Sequence, residues 1–301
     1  MSQFSIVVPF LVRSDQFDET LASVLRHRPE RSQIIVPHDG SYTDPYGLKS
    51  EVDFVVCRNQ VRLVNLWNES LANAMGEFVC LFQAGVELSE GWEFSALDLF
   101  VDSTVAAVAP VVTSTGSSKL RRAYGVSVDG TGTRRLVERE RQAKNVVGPT
   151  SIAAIYRNDA LGWVPQLDEG VEDLYLDAEL GLALQSLGYR SETAKDWVVS
   201  TGDDQWFVHQ QAPHGCSAAR ALVRYSQKLK AGGTPIVGDL LAACTGRTWR
   251  FRHAMGRLSA SRFAAADKSA NEQLMRNKKL LVELRAEHSS RASSNLARRA
   301  A

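Results

Sequence analysis

The first 112 residues alternate short apolar runs with stretches of helical periodicity, and this alternation restricts the fold more than any other feature. Residues 4–10, Phe-Ser-Ile-Val-Val-Pro-Phe, read as a buried strand closed by Pro9. Asp15 opens a helix with Leu21, Val24 and Leu25 on one stripe, and Pro29 stops it before the strand Gln33-Ile34-Ile35-Val36. Residues 52–57 repeat the strand signature, 65–75 form a helix ended by Gly76, and 78–82 are strand again. Residues 89–100 read as helix and 105–112 as strand. Strands this apolar, joined by helices, are those of a mainly parallel sheet covered on both faces. The expected class is α/β.

Beyond residue 113 the pattern loosens. Residues 124–128, followed by Asp129-Gly130, predict a hairpin, and 173–187 a helix stopped at Gly188. From about residue 217 the chain becomes helical and basic: residues 219–301 hold 17 Lys and Arg against 5 Asp and Glu, leaving 18 against 29 before them. This divides the chain into an acidic body over 1–216 and a basic helical extension over 217–301, whose last residues, rich in Ser, Arg and Ala, are expected to be disordered. The basic segment suits an anionic partner: lipid headgroups, nucleic acid or the acidic body itself. With few aromatic residues for base stacking, no nucleic-acid partner is expected.

Cys57, Cys80, Cys216 and Cys244 lie far apart without a CxxC pair, which fits a reducing compartment and a cytoplasmic location. The sequence enters its first strand directly and has no run approaching about 18 apolar residues, so neither a signal peptide nor a membrane span is expected.

Four segments, in order, resemble the family 2 type of nucleotide-sugar glycosyltransferases with the GT-A fold. They are residues 5–10, Ser-Ile-Val-Val-Pro-Phe; residues 34–41, ending His-Asp-Gly-Ser, with Thr43-Asp44 behind; and residues 68–79, which contain Ala-Met-Gly-Glu. The fourth is Leu167-Asp168-Glu169, followed by Leu176-Asp177-Ala178-Glu179-Leu180 and Gly188-Tyr189-Arg190. The resemblance implies a nucleotide-sugar donor and a glycan or small-molecule acceptor. It also implies a nucleotide pocket lined by Pro9, Phe10, Asp39 and Gly40. On the residues alone, a carboxylate following the second strand lies where open α/β sheets place ligands, although Asp-Gly is also a common turn pair.

Asp177 matches the family's catalytic base, the carboxylate that takes a proton from the acceptor hydroxyl in an inverting transfer. Leu176 replaces the family's preceding Glu, and Glu172-Asp173 offer an alternative register one turn earlier. Replacing Asp177 by Asn is expected to leave stability nearly unchanged.

The departure from the family follows the fourth strand. There the family's Asp-x-Asp holds a divalent ion, whereas this chain has Gln83-Ala84-Gly85, in which neither Gln83 nor Gly85 supplies an anionic ligand. The expectation is therefore no firmly bound cofactor, manganese and magnesium being disfavoured. Arginines and lysines over 121–144, among them Arg134, are candidates to neutralise a diphosphate. His209 and His214 occur where family members often carry a histidine touching metal or phosphate, and a structural role is the alternative. A relative that keeps the scaffold without the chemistry is the competing functional reading, and peripheral contact with the inner face of a membrane through the basic segment accompanies the leading one.

Overall fold

The computed structural model describes residues 3–11, 15–57, 62–114, 120–201, 214–225, 237–240 and 249–300. Its frame is a sheet in the order β3-β2-β1-β4-β10-β6-β11-β5. These strands are β1 (Phe4–Val7), β2 (Ser32–His38), β3 (Asp53–Val56), β4 (Phe78–Phe82), β5 (Val86–Glu87), β6 (Val105–Ser114), β10 (Ala153–Arg157) and β11 (Arg190–Thr201). Strands β3, β2, β1 and β4 run parallel, as do β6 and β11, and β10 lies antiparallel between β4 and β6. The short β7 (Arg122–Ala123) pairs with β6. The expected hairpin forms from β8 (Val126–Val128) and β9 (Arg134–Leu136) as a separate two-stranded sheet.

Because successive side chains along a strand point to opposite faces, the apolar strands build two cores. Phe4, Ile6, Val8, Ile34, Val36, Cys80 and Phe82 face one cluster, which receives Phe17, Leu21 and Val24 from α1 (Asp15–His27). Val7, Ile35, Val79 and Leu81 face the other, filled by Val64 and Trp67 of α2 (Leu63–Asn73) and by α5 (Leu176–Ser186). Two shorter helices, α3 (Phe94–Phe100) and α4 (Asn158–Leu161), complete the body. The carboxyl-terminal helices are α6 (Gly215–Arg224), α7 (Trp249–Ser259) and α8 (Ala264–Ala300). Ala218, Ala221, Tyr225, Leu274 and Leu281 belong to the second core, so the basic segment shares its interior with the body.

Charge joins the two regions as well. Arg220 and Arg224 are 1% and 4% exposed and pair with Asp168 of the body and Asp267 of α8, and Arg224 also reaches Glu179 of α5. Part of the basic excess is thus neutralised by the acidic body. A guanidinium this buried requires such partners, because an unpaired charge out of water costs several kcal/mol.

The Ala-Met-Gly-Glu turn owes its glycine to a close approach: a Cβ at Gly76 would lie 2.5 Å from the backbone of Phe4 and Ser5. The Gly76 N–H also donates to Ser5 Oγ at 2.9 Å, fixing the α2-to-β4 turn against β1. Gly76→Ala should therefore push β4 off β1. The expected cost is about 1–3 kcal/mol, the range for overpacking, read as a lowered midpoint in thermal denaturation.

Candidate functional site

Strand order reverses beside β1: β2 lies on one side and β4 on the other. Open α/β sheets place ligands outside the carboxyl ends of their strands at such a switch point. Pro9 and Phe10 follow β1, Asp39 and Gly40 follow β2, and Gln83 and Gly85 follow β4. The six residues therefore share one edge of the sheet. The turn after β4 is tied to α1, with the Gly85 N–H donating to Thr20 Oγ1 at 2.9 Å and the Gln83 N–H donating to the Ile152 carbonyl at 2.9 Å.

At the end of β2, Asp39 Oδ1 accepts from the Ser41 N–H at 2.8 Å and from the Ser41 hydroxyl, closing an Asx turn through Gly40 at φ 91°. These hydrogen bonds hold the Asp39 carboxyl below its ordinary range, so it faces solvent as a carboxylate. His38 Nδ1 accepts the Gly40 N–H at 3.0 Å, a role open only to neutral imidazole, and burial lowers the His38 pKa accordingly against the opposing charge of Asp39.

Phe10 is buried at 4% exposure and covered by Tyr42, whose ring lies 5.0 Å from Phe10, 5.5 Å from Phe17 and 5.9 Å from His38. Tyr42 also stacks on Phe54 at 5.2 Å with 21° between the planes. Between Phe10, Asp18 and residues 41–45 a crevice of only about 20 Å³ is left. That is room for roughly one water. A nucleobase at this edge meets Tyr42 before Phe10. Sequence reading missed Tyr42 and assigned nothing to His38, since the roles of both arise from aromatic neighbours distant in the chain.

The turn after β4, Gln83-Ala84-Gly85, contains no carboxylate. Gln83 and Gly85 offer no charge, and Glu87, two residues on in β5, is exposed. Among the described residues no group of three or more His, Cys, Asp or Glu is gathered to hold a metal.

Asp177 opens α5 with no exposure to solvent. Its carboxylate takes two bonds from Arg134, Nε to Oδ1 at 2.7 Å and Nη2 to Oδ2 at 2.6 Å, and Oδ2 also accepts the Ser151 N–H at 3.0 Å. Ser151 adjoins Ile152, which bonds Gln83, so Asp177 is joined to the turn after β4 through two neighbouring residues. The buried polar atoms Arg134 Nη1, Thr150 Oγ1 and Tyr156 Oη, all around this pair, have no hydrogen-bond partner among the described residues. Burial pushes the Tyr156 hydroxyl pKa up, and the Asp177 charge adds to the shift.

Comparison with solved structures places the architecture. A mannosyltransferase from Pyrobaculum calidifontis, PcManGT, in complex with GDP-Man and Mn2+, is 15% identical and matches 96% of this chain and 80% of its own, with a TM-score of 0.51. GalNAc-T7 with UDP, GalNAc and Mn2+ is 12% identical and matches 84% of this chain, with a TM-score of 0.57. The alignment covers 54% of GalNAc-T7, so this chain corresponds to about half of that protein. The fold is GT-A. No protein-family model matches the sequence. No curated protein matches it either.

Within the GT-A frame the remaining candidates separate. His214 is 3% exposed, accepts the Arg134 N–H at Nε2 over 3.1 Å, and lies 5.6 Å from the Tyr175 ring and 5.3 Å from the His253 ring, which gives it a packing role. His209 lies outside the described residues. Of the basic cluster, Arg121 pairs with Glu138 and Arg135 with Asp129, while Arg134 alone is drawn inside to Asp177. Glu172 and Asp173, the alternative register for a base, are engaged elsewhere: Glu172 caps Ser217 and Asp173 pairs with Arg62.

The buried pair overturns the expectation that Asp177→Asn leaves stability unchanged. Removing the carboxylate leaves the Arg134 guanidinium uncompensated, at a cost of about 3–5 kcal/mol. Denaturant titration should show that loss, and the double change Arg134→Met with Asp177→Leu should restore most of it.

His38 sets a pH dependence. Its pKa is lowered on folding, so its contribution is complete above the ordinary value near 6.5 and is lost as pH falls through the lowered one. His253, also lowered by burial, acts with the same sign. Melting temperature should hold above about pH 6.5 and decline below it, the decline shrinking in His38→Gln.

Proposed function

We propose that the chain is a nucleotide-sugar glycosyltransferase that moves a sugar to a hydroxyl acceptor with inversion and without a divalent ion. The observation that carries this reading is the group of unsatisfied buried polar atoms around Asp177. Leaving a buried donor or acceptor unmet costs about 1–3 kcal/mol, so each such group calls for a water, an ion or a catalytic role to account for it. Arg134 Nη1 and the hydroxyls of Thr150 and Tyr156 await a hydroxylated ligand beside Asp177, one of the two carboxylates in the first turn of α5.

In this reading the donor nucleotide lies along the edge formed by Pro9, Phe10, Asp39, Gly40, Gln83 and Gly85. Its entry requires residues 41–45 to swing and lift Tyr42. Asp39, ionised and exposed, accepts hydrogen bonds from the base or ribose. Asp177 takes the acceptor proton once Arg134 turns from it toward the donor diphosphate, where the guanidinium offsets charge on the departing nucleotide. The two solved structures of similar fold are described with GDP-Man and Mn2+ and with UDP, GalNAc and Mn2+. The basic segment holds the enzyme at the inner face of a membrane.

A second reading, a non-catalytic binder of nucleotide or glycan, is favoured by the complete burial of Asp177 against Arg134. Two measurements separate the readings. Nucleotide diphosphate binding by calorimetry should be the same with EDTA and with manganese, whereas strong metal dependence would redirect the search for ligands to Glu87 and the histidines. A screen of nucleotide sugars should show transfer, and Asp177→Asn, assayed well below its melting point, should lower turnover about 10²- to 10⁴-fold at unchanged donor affinity. Donor binding with no transfer from any nucleotide sugar would establish the binder.

A further inference from the structure

Among the described residues, one helix face in the basic segment has no cover. Along α7 and the turn after it, Phe251 (53% exposed), Met255 (48%) and Leu258 (50%) recur at i, i+4 and i+7 and form one outward stripe. Arg252 borders the stripe, and Arg262 stands in the 3-10 turn Ala260–Phe263 that follows the helix; both are exposed. Neither is in an ion pair among the described residues, and Arg262 lies 4.8 Å over the Phe263 ring. The inner face of the same helix is fixed: Ala254 and His253 are fully buried, and Arg250, His253 and Arg257 all bind Asp239. The helix is therefore held rigidly with its apolar stripe outward.

The composition of the stripe selects its occupant. Three large apolar side chains bounded by cations, with no acid among the exposed residues of α7, match a helix lying in the headgroup region of an anionic bilayer. The apolar side chains enter the acyl boundary while the arginines snorkel to phosphate. Charge points the same way: the carboxyl-terminal 83 residues carry 17 Lys and Arg against 5 Asp and Glu, and the arginines that the fold neutralises are on the inner side. No described helix is long and apolar enough to cross a membrane, so the contact is with a surface.

We infer that the outer face of α7 and the turn after it, through Phe251, Met255, Leu258, Arg252 and Arg262, is a docking surface for anionic phospholipid headgroups. This deepens the membrane part of the proposed function by naming the surface, and it requires no catalysis.

The full-length chain is mixed with vesicles of phosphatidylcholine alone or of equal parts phosphatidylcholine and phosphatidylglycerol, and bound protein is measured by flotation. Binding is expected to the anionic vesicles only. Phe251→Ser with Leu258→Ser should weaken it at least tenfold, because the apolar anchor is lost. Arg252→Gln and Arg262→Gln should each weaken it about fivefold, as one cation near an anionic surface is worth. All four positions are exposed, so melting temperatures should be unchanged, and Val101→Ser, at an exposed apolar residue beyond α3, should bind as wild type. Three results would overturn the proposal: equal binding to neutral vesicles, binding untouched by the Phe251 and Leu258 changes, or retention on a soluble polyanion such as duplex DNA with no vesicle binding. Transfer activity is read separately in solution, so a failed vesicle assay leaves the catalytic reading standing, and the reverse also holds.

Discussion

The bidentate bond between Arg134 and Asp177 joins three parts of the molecule that have no local reason to meet. Arg134 comes from the β8–β9 hairpin, Asp177 from the start of α5, and Ser151, which donates to the same carboxylate, from the approach to the central antiparallel strand β10. Both side chains are completely out of water. Pairing is the only condition under which either charge is tolerable there, since desolvation of a single ion costs several kcal/mol after relaxation. The pair thus fixes the hairpin and the helix relative to the sheet.

A second set of buried arginines does the same for the carboxyl-terminal helices. Arg220 and Arg224 reach across from α6 to Asp168 and Glu179 of the body, while Asp267 of α8 closes the network. Arg220 also lies 4.1 Å over the Phe263 ring, a cation–π contact in the interior. Charge asymmetry along the sequence therefore has two destinations. Some cations turn inward and fasten the segment to the acidic body, and those on the outer face of α7 remain without counter-charge.

At the sheet edge, Phe10, Phe17, His38, Tyr42 and Phe54 pack as one aromatic group. The segment carrying Tyr42 is held on its amino side by the Asp39–Ser41 turn and on its far side by Asp44, which accepts the Tyr46 N–H at 3.1 Å. Short local turns of this kind can reorganise without disturbing the core, so the edge is closed by a loop and not by the sheet.

The parallel half of the fold was legible in the sequence because each of its strands is a continuous apolar run set off by proline or glycine, and the helices between carry a plain stripe. Those signals are local, and they are strong because burial on both faces leaves little freedom of composition. The Asp39–Gly40 turn was legible for the same reason. Strands β10 and β11 were not assigned from sequence: β10 is a five-residue run, and β11 mixes Arg, Glu, Lys and Asp along a strand that shifts register against β6. Their pairing comes from the partners the sheet offers, not from their own pattern. Likewise the sequence supplied Asp177 at the start of a helix, but only the tertiary structure decided that Arg134 would meet it, that Tyr42 would cover Phe10, and which basic residues would face inward. Ion pairs and aromatic contacts across tens of residues depend on where distant backbone segments come to lie, and no spacing along the chain encodes that distance.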